Sequence, residues 1–426
     1  MKEVRLGIAG LGTVAQGVLD ILATNRDLIA ARSGLDVIVT RVASRRAKPE
    51  VDLGSAEFST DLADLYRADD VDIVVELIGG EDIAHEFITA ALAARKPTVT
   101  ANKAVMAAHG NSLLANEYGV PIGFEAAVAG AIPIIAAIEH GLVANRFEHV
   151  VGIINGTCNY ILTAMQEQGA AFADALARAQ ELGYAEADPT FDVEGIDAAH
   201  KLAILLGLAF DSPFNLDDIY IEGISAITSD DIQYADELGY RIKHLGIARQ
   251  TEHGLEARVH PTLVPKTQLL ASVNDVLNAV LVKCDAAADT MYSGPGAGGA
   301  ATASAVLSDV VAIGRQLGEA QFSPLRSAGT AQTMLPIEDV RSAHYVRIPT
   351  RDEPGVFAQV ANALSEHDIS IEAAIQKEPR AGQDLVSIVI LTQVTREADI
   401  RAALAQVQVL PEVGGDIARI RVETLD

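Results

Sequence analysis

The sequence predicts an α/β protein in three parts: a parallel sheet covered by helices, a middle region on a mixed open sheet, and a small C-terminal unit of ferredoxin-like order. Three observations support this prediction. Short β-like runs alternate with helix-like segments in the first third of the 426 residues. More strand-like runs follow a middle stretch rich in glycine and acidic residues, and the last part has the order strand, helix, strand, strand, helix, strand.

In the first part, each apolar, β-branched run is followed by a segment with helical spacing, which is typical of parallel βαβ units. The predicted strands are 4–9, 37–43, 73–78 and 97–100, and the clearest helices between them are 83–94 and 104–117.

The middle region opens with an apolar helix candidate at 134–142 and then carries a run dense in glycine, aspartate and asparagine from 152 to 201. Strand-like runs at 258–264 and 279–283 indicate the mixed sheet. The remaining patterned segments are a glycine-rich stretch (293–301), an amphipathic helix (302–317) and a stretch without periodicity that is typical of a linker (318–343).

The C-terminal unit is predicted separately because its elements follow the split βαβ order. Its strands are predicted at 345–349, 369–376, 385–393 and 417–423, and its helices at 355–367 and 396–404.

Composition excludes several classes of protein. With 58 acidic and 32 basic residues, the formal net charge is −26, so the chain lacks the basic surface that binding to nucleic acid or to an anionic membrane requires. Two cysteines allow neither a disulfide framework nor a four-thiolate zinc site. The N-terminus has no signal-peptide layout, and no apolar stretch is long enough to span a bilayer. We therefore expect a cytoplasmic protein without nucleic-acid or membrane partners.

A glycine-rich turn follows the first predicted strand. The segment Gly10-Leu11-Gly12-Thr13-Val14-Ala15 fits the pattern G-x-G-x-x-G/A of dinucleotide-binding folds. There the first glycine permits a tight turn, the second lets the backbone approach a pyrophosphate, and the small third residue lets the helix pack closely, while the helix N-terminus attracts the anion. An ordinary glycine turn is the alternative interpretation.

The end of the second predicted strand bears on which cofactor is used. NAD sites usually have an acidic residue there for the ribose hydroxyls, whereas this chain has Arg45 and Arg46, with Lys48 beyond them. Two arginines suit a 2′-phosphate, so the sequence favours NADP and leaves the use of NAD open. A solvated surface is the alternative.

Two lysines are candidates for proton transfer. Lys103 follows the fourth predicted strand, so it should lie at the carboxyl edge of the sheet, where open α/β folds bind ligands. Lys201 stands where the uncharged helical segment 202–210 enters the core, which is a costly position for a lysine unless it is paired or functional.

An acidic run precedes Lys201. Its carboxylates are those of Glu186, Asp188, Asp192 and Asp197. We expect Asp192 to cap a helix that begins near Val193. Asp197 lies four residues before Lys201 and so on the same helix face, which leaves a structural ion pair as the alternative to a catalytic role.

At these residues the chain resembles the homoserine dehydrogenases. The signature of that family, A-x3-G-[hydrophobic]-[small]-x2-[D/N]-P-x2-D-[hydrophobic]-x-G-x-D-x3-K, matches residues 179–201 without a gap. The C-terminal unit, with Arg351-Asp352-Glu353-Pro354-Gly355 before its first helix, resembles an ACT domain. Further similarities are the glycine turn, 100–103, 125–132, Asn155-Gly156-Thr157 and Gly296-Ala297-Gly298.

The resemblance implies interconversion of L-homoserine and L-aspartate 4-semialdehyde with NAD(P), a step towards threonine, methionine and isoleucine. It implies that Lys201 donates the proton, that Lys103 assists beside the nicotinamide, and that Asp197 orients Lys201. The implied substrate contacts are Glu186, Asp192, Asp197, Thr157, Gly156 and Tyr184. The implied cofactor contacts are Gly10, Leu11, Gly12, Thr13, Val14, Ala15, Arg45, Arg46, Lys103, Gly183 and Gly298.

A cation, a regulator and an assembly are also implied by the resemblance. The family binds a monovalent cation, usually sodium, largely through backbone carbonyls, here those of Glu125, Val128, Gly130 and Ile132. A homo-oligomer, either a dimer or a tetramer, is expected, with inhibition by threonine at the ACT domain.

The resulting domain prediction has four segments. They are a Rossmann-type NAD(P)-binding domain (1–132 plus about 302–325), an α+β catalytic and dimerisation domain (133–301), a linker (326–343) and a ferredoxin-like ACT regulatory domain (344–426). Two other functions stay open. One is a related NADP-dependent oxidoreductase that acts on another amino-acid-derived substrate. The other is a sensor that only holds nucleotide, against which the presence of both lysines argues.

Overall fold

The structure is a computed structural model, and it describes residues 1–318, 332–377 and 384–425. The chain divides into two compact units. The first comprises Met1–Ile154, Ala199–Ile219 and Asn278–Gln332, and the second comprises Asn155–Ala198, Tyr220–Leu277 and Thr333–Asp426. Residues of the segment 133–301 therefore lie in both units. Part of the predicted linker (326–331) and the end of the predicted return to the nucleotide-binding domain (319–325) lie outside the described residues.

Every strand predicted from the sequence overlaps a strand of the described residues, but seven observed strands were not predicted, those at 57–59, 122–123, 147–153, 220–221, 240–251, 288–295 and 395–396. In chain order the observed strands are β1 (Lys2–Ala9), β2 (Leu35–Ala43), β3 (Glu57–Ser59), β4 (Ile73–Glu76), β5 (Thr98–Thr100), β6 (Ile122–Gly123), β7 (Phe147–Ile153), β8 (Tyr220–Ile221), β9 (Tyr240–Thr251), β10 (Gly254–Pro265), β11 (Leu277–Cys284), β12 (Ala288–Pro295), β13 (Arg341–Thr350), β14 (Ile371–Gln376), β15 (Val386–Thr392), β16 (Thr395–Arg396) and β17 (Ala418–Val422).

The α-helices are also numbered in chain order. They are α1 (Thr13–Ser33), α2 (Ala63–Arg67), α3 (Asp82–Ala93), α4 (Lys103–Leu114), α5 (Ile134–Ala136), α6 (Gly156–Gln168), α7 (Phe172–Glu181), α8 (Thr190–Val193), α9 (Ile196–Phe210), α10 (Ser229–Glu237), α11 (Gly299–Gln316), α12 (Val356–Glu366) and α13 (Glu397–Gln408). The apolar segment predicted as one helix at 134–142 is α5 followed by a π-helical turn, Ala137–Gly141.

The first unit is built on a parallel sheet whose strands are adjacent in the order β3-β2-β1-β4-β5-β6. This is the strand order of a Rossmann-type fold, in which ligands bind at the carboxyl ends of the strands. Helices α1 and α11 pack together so closely that a Cβ on Gly17 would lie 2.6 Å from the Gly299 carbonyl oxygen. The unit also contains β7 and β11, which pair antiparallel, with β12 beside β11.

The second unit is built on a mixed sheet with the order β9-β10-β17-β13-β15-β14. The β10–β17 pair is parallel, and the other neighbouring strands in this run are antiparallel. From β13 to β17 the chain has the predicted split βαβ order, with α12 and α13 packed over a core that includes Ile348, Val360 and Ile388. In the described part of the chain, no helix is both long and apolar enough to cross a membrane.

Candidate active site

The glycine turn leaves an open cradle at the start of α1. Gly10 has φ +100°, its N–H donates to the Ala43 carbonyl at 2.8 Å, and a Cβ there would lie 2.4 Å from the Leu77 oxygen. Gly12 is the N-cap of α1, and no atom lies within 4 Å of the position its Cβ would take. The turn therefore leaves space beside the backbone N–H groups of the helix N-terminus, which fits a dinucleotide pyrophosphate.

The apolar side chains of this turn pack into the core. Leu11 and Ala15 are buried, and Val14 packs against the core of the first unit.

Arg45 and Arg46 are exposed directly after β2. Ala43, the last residue of β2, accepts the hydrogen bond from Gly10, so the two arginines lie close in sequence to the glycine turn's partner. The sequence predicts contact with the ribose at this position.

A buried glutamate, which the sequence analysis missed, ends β4. Glu76 is fully buried, and its two carboxylate oxygens accept hydrogen bonds from the Ile78 N–H at 2.7 Å and the Thr100 hydroxyl at 2.6 Å. Burial raises the pKa of Glu76, and its hydrogen-bond donors offset this only in part. The sequence feature that could have indicated a buried role for Glu76 is its position as a single acidic residue at the end of an apolar strand.

The same network continues to the helix that carries Lys103. The Asn102 N–H donates to the Thr100 hydroxyl oxygen at 3.0 Å, and its side-chain amide donates to the Gly80 carbonyl at 2.6 Å. The Asn102 side-chain oxygen caps α4 by accepting from the Val105 N–H. Lys103, the first residue of α4, is therefore held at the carboxyl edge of the parallel sheet, as predicted.

Lys201 is buried, as the uncharged helix predicts. Its side chain is 9% exposed, and Nζ donates to the Ile154 carbonyl oxygen at 2.8 Å. The residues that follow it in α9 are almost all buried, so burial of this helix is confirmed.

Asn155 holds the carboxylates of Asp192 and Asp197 together. Its side-chain NH₂ donates to Asp192 Oδ1 at 2.7 Å and to Asp197 Oδ2 at 2.8 Å. Its side-chain oxygen accepts from the Cys158 N–H at 2.8 Å and caps α6. Sequence analysis quoted Asn155 within a motif but gave it no role, because its partners lie 37 and 42 residues away.

The first turn of α6 brings a hydroxyl to the same cluster. The Thr157 hydroxyl donates to the Tyr184 carbonyl oxygen at 2.7 Å and lies 3.4 Å from Asp192 Oδ2. Gly156 precedes it as the first residue of the helix. Four residues of the second unit, Asn155, Thr157, Asp192 and Asp197, are therefore in one place.

The prediction that Asp192 caps a helix beginning near Val193 is wrong. Asp192 lies inside the short helix α8, and the next helix begins only at Ile196. Gly195, with φ +86°, separates the two helices. The Asp192 carboxylate accepts from the Asn155 side chain, and Gly195, not Asp192, directly precedes the next helix.

The predicted contacts at 183–186 lie on an exposed segment. Gly183 has φ +76° and ends the turn after α7, Tyr184 is 42% exposed, and the Glu186 side chain faces solvent. The structure thus does not bring Glu186 into the Asn155 cluster. Gly298, with φ +121°, is the N-cap of α11.

The loop proposed for a cation is buried and turns sharply. Ala129 and Gly130 both have positive φ, and a Cβ on Gly130 would lie 2.5 Å from the Gly296 oxygen. The Glu125 carboxylate accepts from the first N–H groups of α5, those of Ile135 and Ala136, and burial raises the pKa of Glu125. The Glu125 carboxylate is thus bound by backbone N–H groups, and Val128 and Ile132 of the same loop are also buried.

A Rossmann-type sheet with an open glycine cradle, together with lysines at the predicted positions, defines a dinucleotide-binding oxidoreductase. Family models agree: residues 10–120 match the NAD binding domain of homoserine dehydrogenase, 133–311 match homoserine dehydrogenase, and 344–412 match the ACT domain. The chain belongs to the homoserine dehydrogenase family, which confirms the resemblance and the fold class.

Individual relatives match over the whole chain. Homoserine dehydrogenase of Pseudomonas aeruginosa is 50% identical, with 100% of both chains covered. The crystal structure of a homoserine dehydrogenase from Thiobacillus denitrificans is 47% identical, with a TM-score of 0.93 and coverage of 100% of this chain and 99% of that one. A hyperthermophilic archaeal homoserine dehydrogenase in complex with NADPH is 25% identical, with a TM-score of 0.64 over 76% of this chain and 100% of that one.

Proposed function

We propose that the protein interconverts L-homoserine and L-aspartate 4-semialdehyde with NADP as the preferred cofactor and NAD as a second one. The full-length similarity to homoserine dehydrogenases carries this proposal. The reaction would serve the formation of threonine, methionine and isoleucine. The domain boundaries given above are part of the proposal.

The cofactor half of the proposal rests on the first unit. The pyrophosphate would bind at the cradle of Gly10 and Gly12, and the 2′-phosphate would pair with Arg45 and Arg46, which are exposed and free to move towards it. The nicotinamide, when bound, supplies the hydride chemistry. The archaeal relative in complex with NADPH supports the choice of NADP.

Lys201 is the proposed proton donor. In the reducing direction, the aldehyde oxygen gains negative charge as hydride reaches its carbon, and the Lys201 ammonium donates a proton to that oxygen. In the oxidising direction, the neutral Lys201 amine takes the proton of the substrate hydroxyl. Such acid–base catalysis typically contributes about 10²- to 10⁴-fold. Asp197, one turn away on α9, would orient Lys201, and Lys103 would assist beside the nicotinamide.

The ends of the amino-acid substrate suit the polar groups of the second unit. Glu186, from the exposed segment, would hold the substrate ammonium. Asp197 would hydrogen-bond near the reacting oxygen, and Asp192 would be a further substrate contact. The Thr157 hydroxyl and backbone N–H groups near Gly156, at the start of α6, would bind the substrate carboxylate. Tyr184 would complete this contact, and Gly183 and Gly298 would contact the cofactor.

A sodium ion on the 125–132 loop, a homo-oligomer and threonine inhibition complete the proposal. The buried loop carbonyls support the cation, and the match to the ACT domain supports an amino-acid effector. The expected effector loop is Asp352-x-Pro354-Gly355, in which Gly355 has φ +93° and caps α12. Threonine should inhibit the intact chain and lose this effect in Asp352→Ala. Inhibition that survives in the variant would contradict the assignment of this loop.

The decisive experiment is NADP⁺ reduction by L-homoserine in the intact protein and in Lys201→Met. We expect turnover that falls by about 10²-fold or more in the variant while NADP⁺ binding is kept. Lys243→Met is the matched control, because Lys243 is also buried but its ammonium is held by Asn159, Val273 and Asn274.

The possible outcomes separate the candidate functions. Tight NADP⁺ binding without turnover of homoserine would favour the sensor or another substrate. Turnover that survives in Lys201→Met would keep the reaction but assign the proton to Lys103 or to water. A fall in the Lys243→Met control as large as in Lys201→Met would show that loss of any buried lysine is enough.

A further inference from the structure

The turn between α8 and α9, which joins Asp192 to Asp197, is covered by the segment that follows β8. The Ile224 N–H donates to the Val193 carbonyl oxygen at 2.8 Å. A Cβ on Gly223 would lie 2.5 Å from that same oxygen, so only glycine allows so close an approach. The position of this turn, and hence of the two carboxylates it carries, therefore depends on the segment after β8.

His244 of β9 lies against the same turn. Its imidazole contacts Gly195, where an added Cβ would lie 3.2 Å from Cε1. Nε2 is 3.0 Å from the Glu222 carbonyl oxygen, and since a carbonyl only accepts, Nε2 is the donor. Burial lowers the pKa of His244, so the ring is neutral. The imidazole thus connects the backbone of Glu222 to the turn that carries the carboxylates.

The Glu222 side chain is held by the ACT domain. It accepts from Arg421 at 2.6 Å and from Arg419 at 3.4 Å, both on β17. Arg421 is 1% exposed and also donates to Glu397 of α13 at 2.7 Å. Burial would raise the pKa of Glu222, but the two arginines outweigh it and keep the pKa below its usual range. The Glu222 side chain is therefore an anion bound to two arginines of β17, one of which also binds Glu397 of α13.

We propose that Glu222 and His244 are positioning residues through which the ACT domain holds the Asp192–Asp197 segment in the geometry that turnover requires. The link runs from Arg421 to the Glu222 carboxylate, from the Glu222 carbonyl to His244, and from His244 to Gly195. It rests on the proposed function, since it takes those carboxylates as substrate contacts. Any change that an effector causes at β17 would reach the carboxylates by this route.

The test compares Glu222→Gln, His244→Ala and His244→Gln with a matched control, Glu423→Gln. Glu423 follows the same strand, β17, and is more buried than Glu222, but it pairs with Arg249 and Arg258 of β9 and β10. We expect kcat for homoserine oxidation to fall about 10- to 100-fold in Glu222→Gln and His244→Ala, with KM for NADP⁺ unchanged, because small displacements of positioned groups have effects of that size.

Two further readouts distinguish positioning from general loss of stability. Backbone amides of 190–198 should exchange hydrogen faster in Glu222→Gln and His244→Ala, and His244→Gln should restore most of kcat because its amide can donate to the same carbonyl. Glu423→Gln should lose stability but keep kcat.

Equal loss of kcat in Glu423→Gln and Glu222→Gln, or unchanged exchange of 190–198, would overturn the proposal. Absence of homoserine turnover in the intact protein would overturn the proposed function instead, and the exchange measurement would still test the link.

Discussion

Replacing Asn155 by aspartate would set a third carboxylate against those of Asp192 and Asp197. The substitution changes little in shape, and one aspartate oxygen can still accept from the Cys158 N–H, so the cap of α6 is kept. What is lost is the NH₂ group that now donates to the two carboxylates at 2.7 and 2.8 Å. Asn155→Asp therefore isolates the bridging contacts from the cap.

The expected cost follows from those two contacts. A hydrogen bond to a charged group contributes about 1.5–3 kcal/mol, so losing both should cost about 3–6 kcal/mol at neutral pH. Close like charges also raise the pKa of the carboxyl groups in the folded variant above the unfolded value of about 3.9. A raised pKa adds stability only while the group is protonated, so the deficit should grow as the pH rises from about 4 to 8.

The assay is the free energy of unfolding of the wild type and Asn155→Asp at pH 5 and pH 8, with kcat measured beside it. Asn111→Asp is the control, because among the described residues the Asn111 amide bonds to the Phe214 backbone and not to a carboxylate, and loss of one neutral hydrogen bond costs about 1 kcal/mol. A deficit below about 1 kcal/mol for Asn155→Asp, or one that is the same at both pH values, would refute the bridging role.

Three shorter predictions test other parts of the molecule. Gly12→Ala should cost no more than about 1 kcal/mol of unfolding free energy, as for a replaced glycine N-cap, since its Cβ meets no atom within 4 Å in the described part of the chain beyond its sequence neighbours. It should nevertheless raise KM for NADP⁺ at least about 10-fold, and unchanged KM would contradict the cradle. Combined Arg45→Ala and Arg46→Ala should raise KM for NADP⁺ about 10-fold but leave KM for NAD⁺ nearly constant, and a parallel rise in both would argue against a phosphate contact. Burial would raise the pKa of Glu397, but Arg421 outweighs it and lowers that pKa from 4.5 to about 2. A lowered carboxyl pKa stabilises above the unfolded value, so Glu397→Gln should cost about 3 kcal/mol at pH 7 and much less near pH 3, as denaturation at both pH values would reveal.

Features that depend on local pattern were predicted well from the sequence. The βα alternation predicts the parallel sheet because each strand and its crossover helix are close in sequence, and the C-terminal βαββαβ order predicts the ferredoxin-like unit for the same reason. The uncharged α9 predicts the burial of Lys201, which the structure confirms.

Features that depend on distant partners were not predicted. Asn155 acquires its role only when the fold brings it to residues 37 and 42 positions away, and Glu76 meets Thr100 only because β4 and β5 are neighbours in the sheet. The Asp192 cap was mispredicted because an aspartate before an apolar run is a common N-cap signal. The positive φ of Gly195, which delays the next helix to Ile196, has no equally local signature.

Two asparagines show how the fold couples helix capping to chemistry in each unit separately. Asn102 and Asn155 each use the side-chain oxygen to cap a helix and the side-chain NH₂ to hold a second group, the Gly80 carbonyl in one case and two carboxylates in the other. Aspartate would cap as well, but an ionised carboxylate has no hydrogen to donate. Serine has a single O–H, whereas the NH₂ group of Asn155 donates to two carboxylates while the side-chain oxygen caps the helix. The need for an acceptor and two donors in one side chain therefore favours asparagine directly before the proposed carboxylate-binding turn.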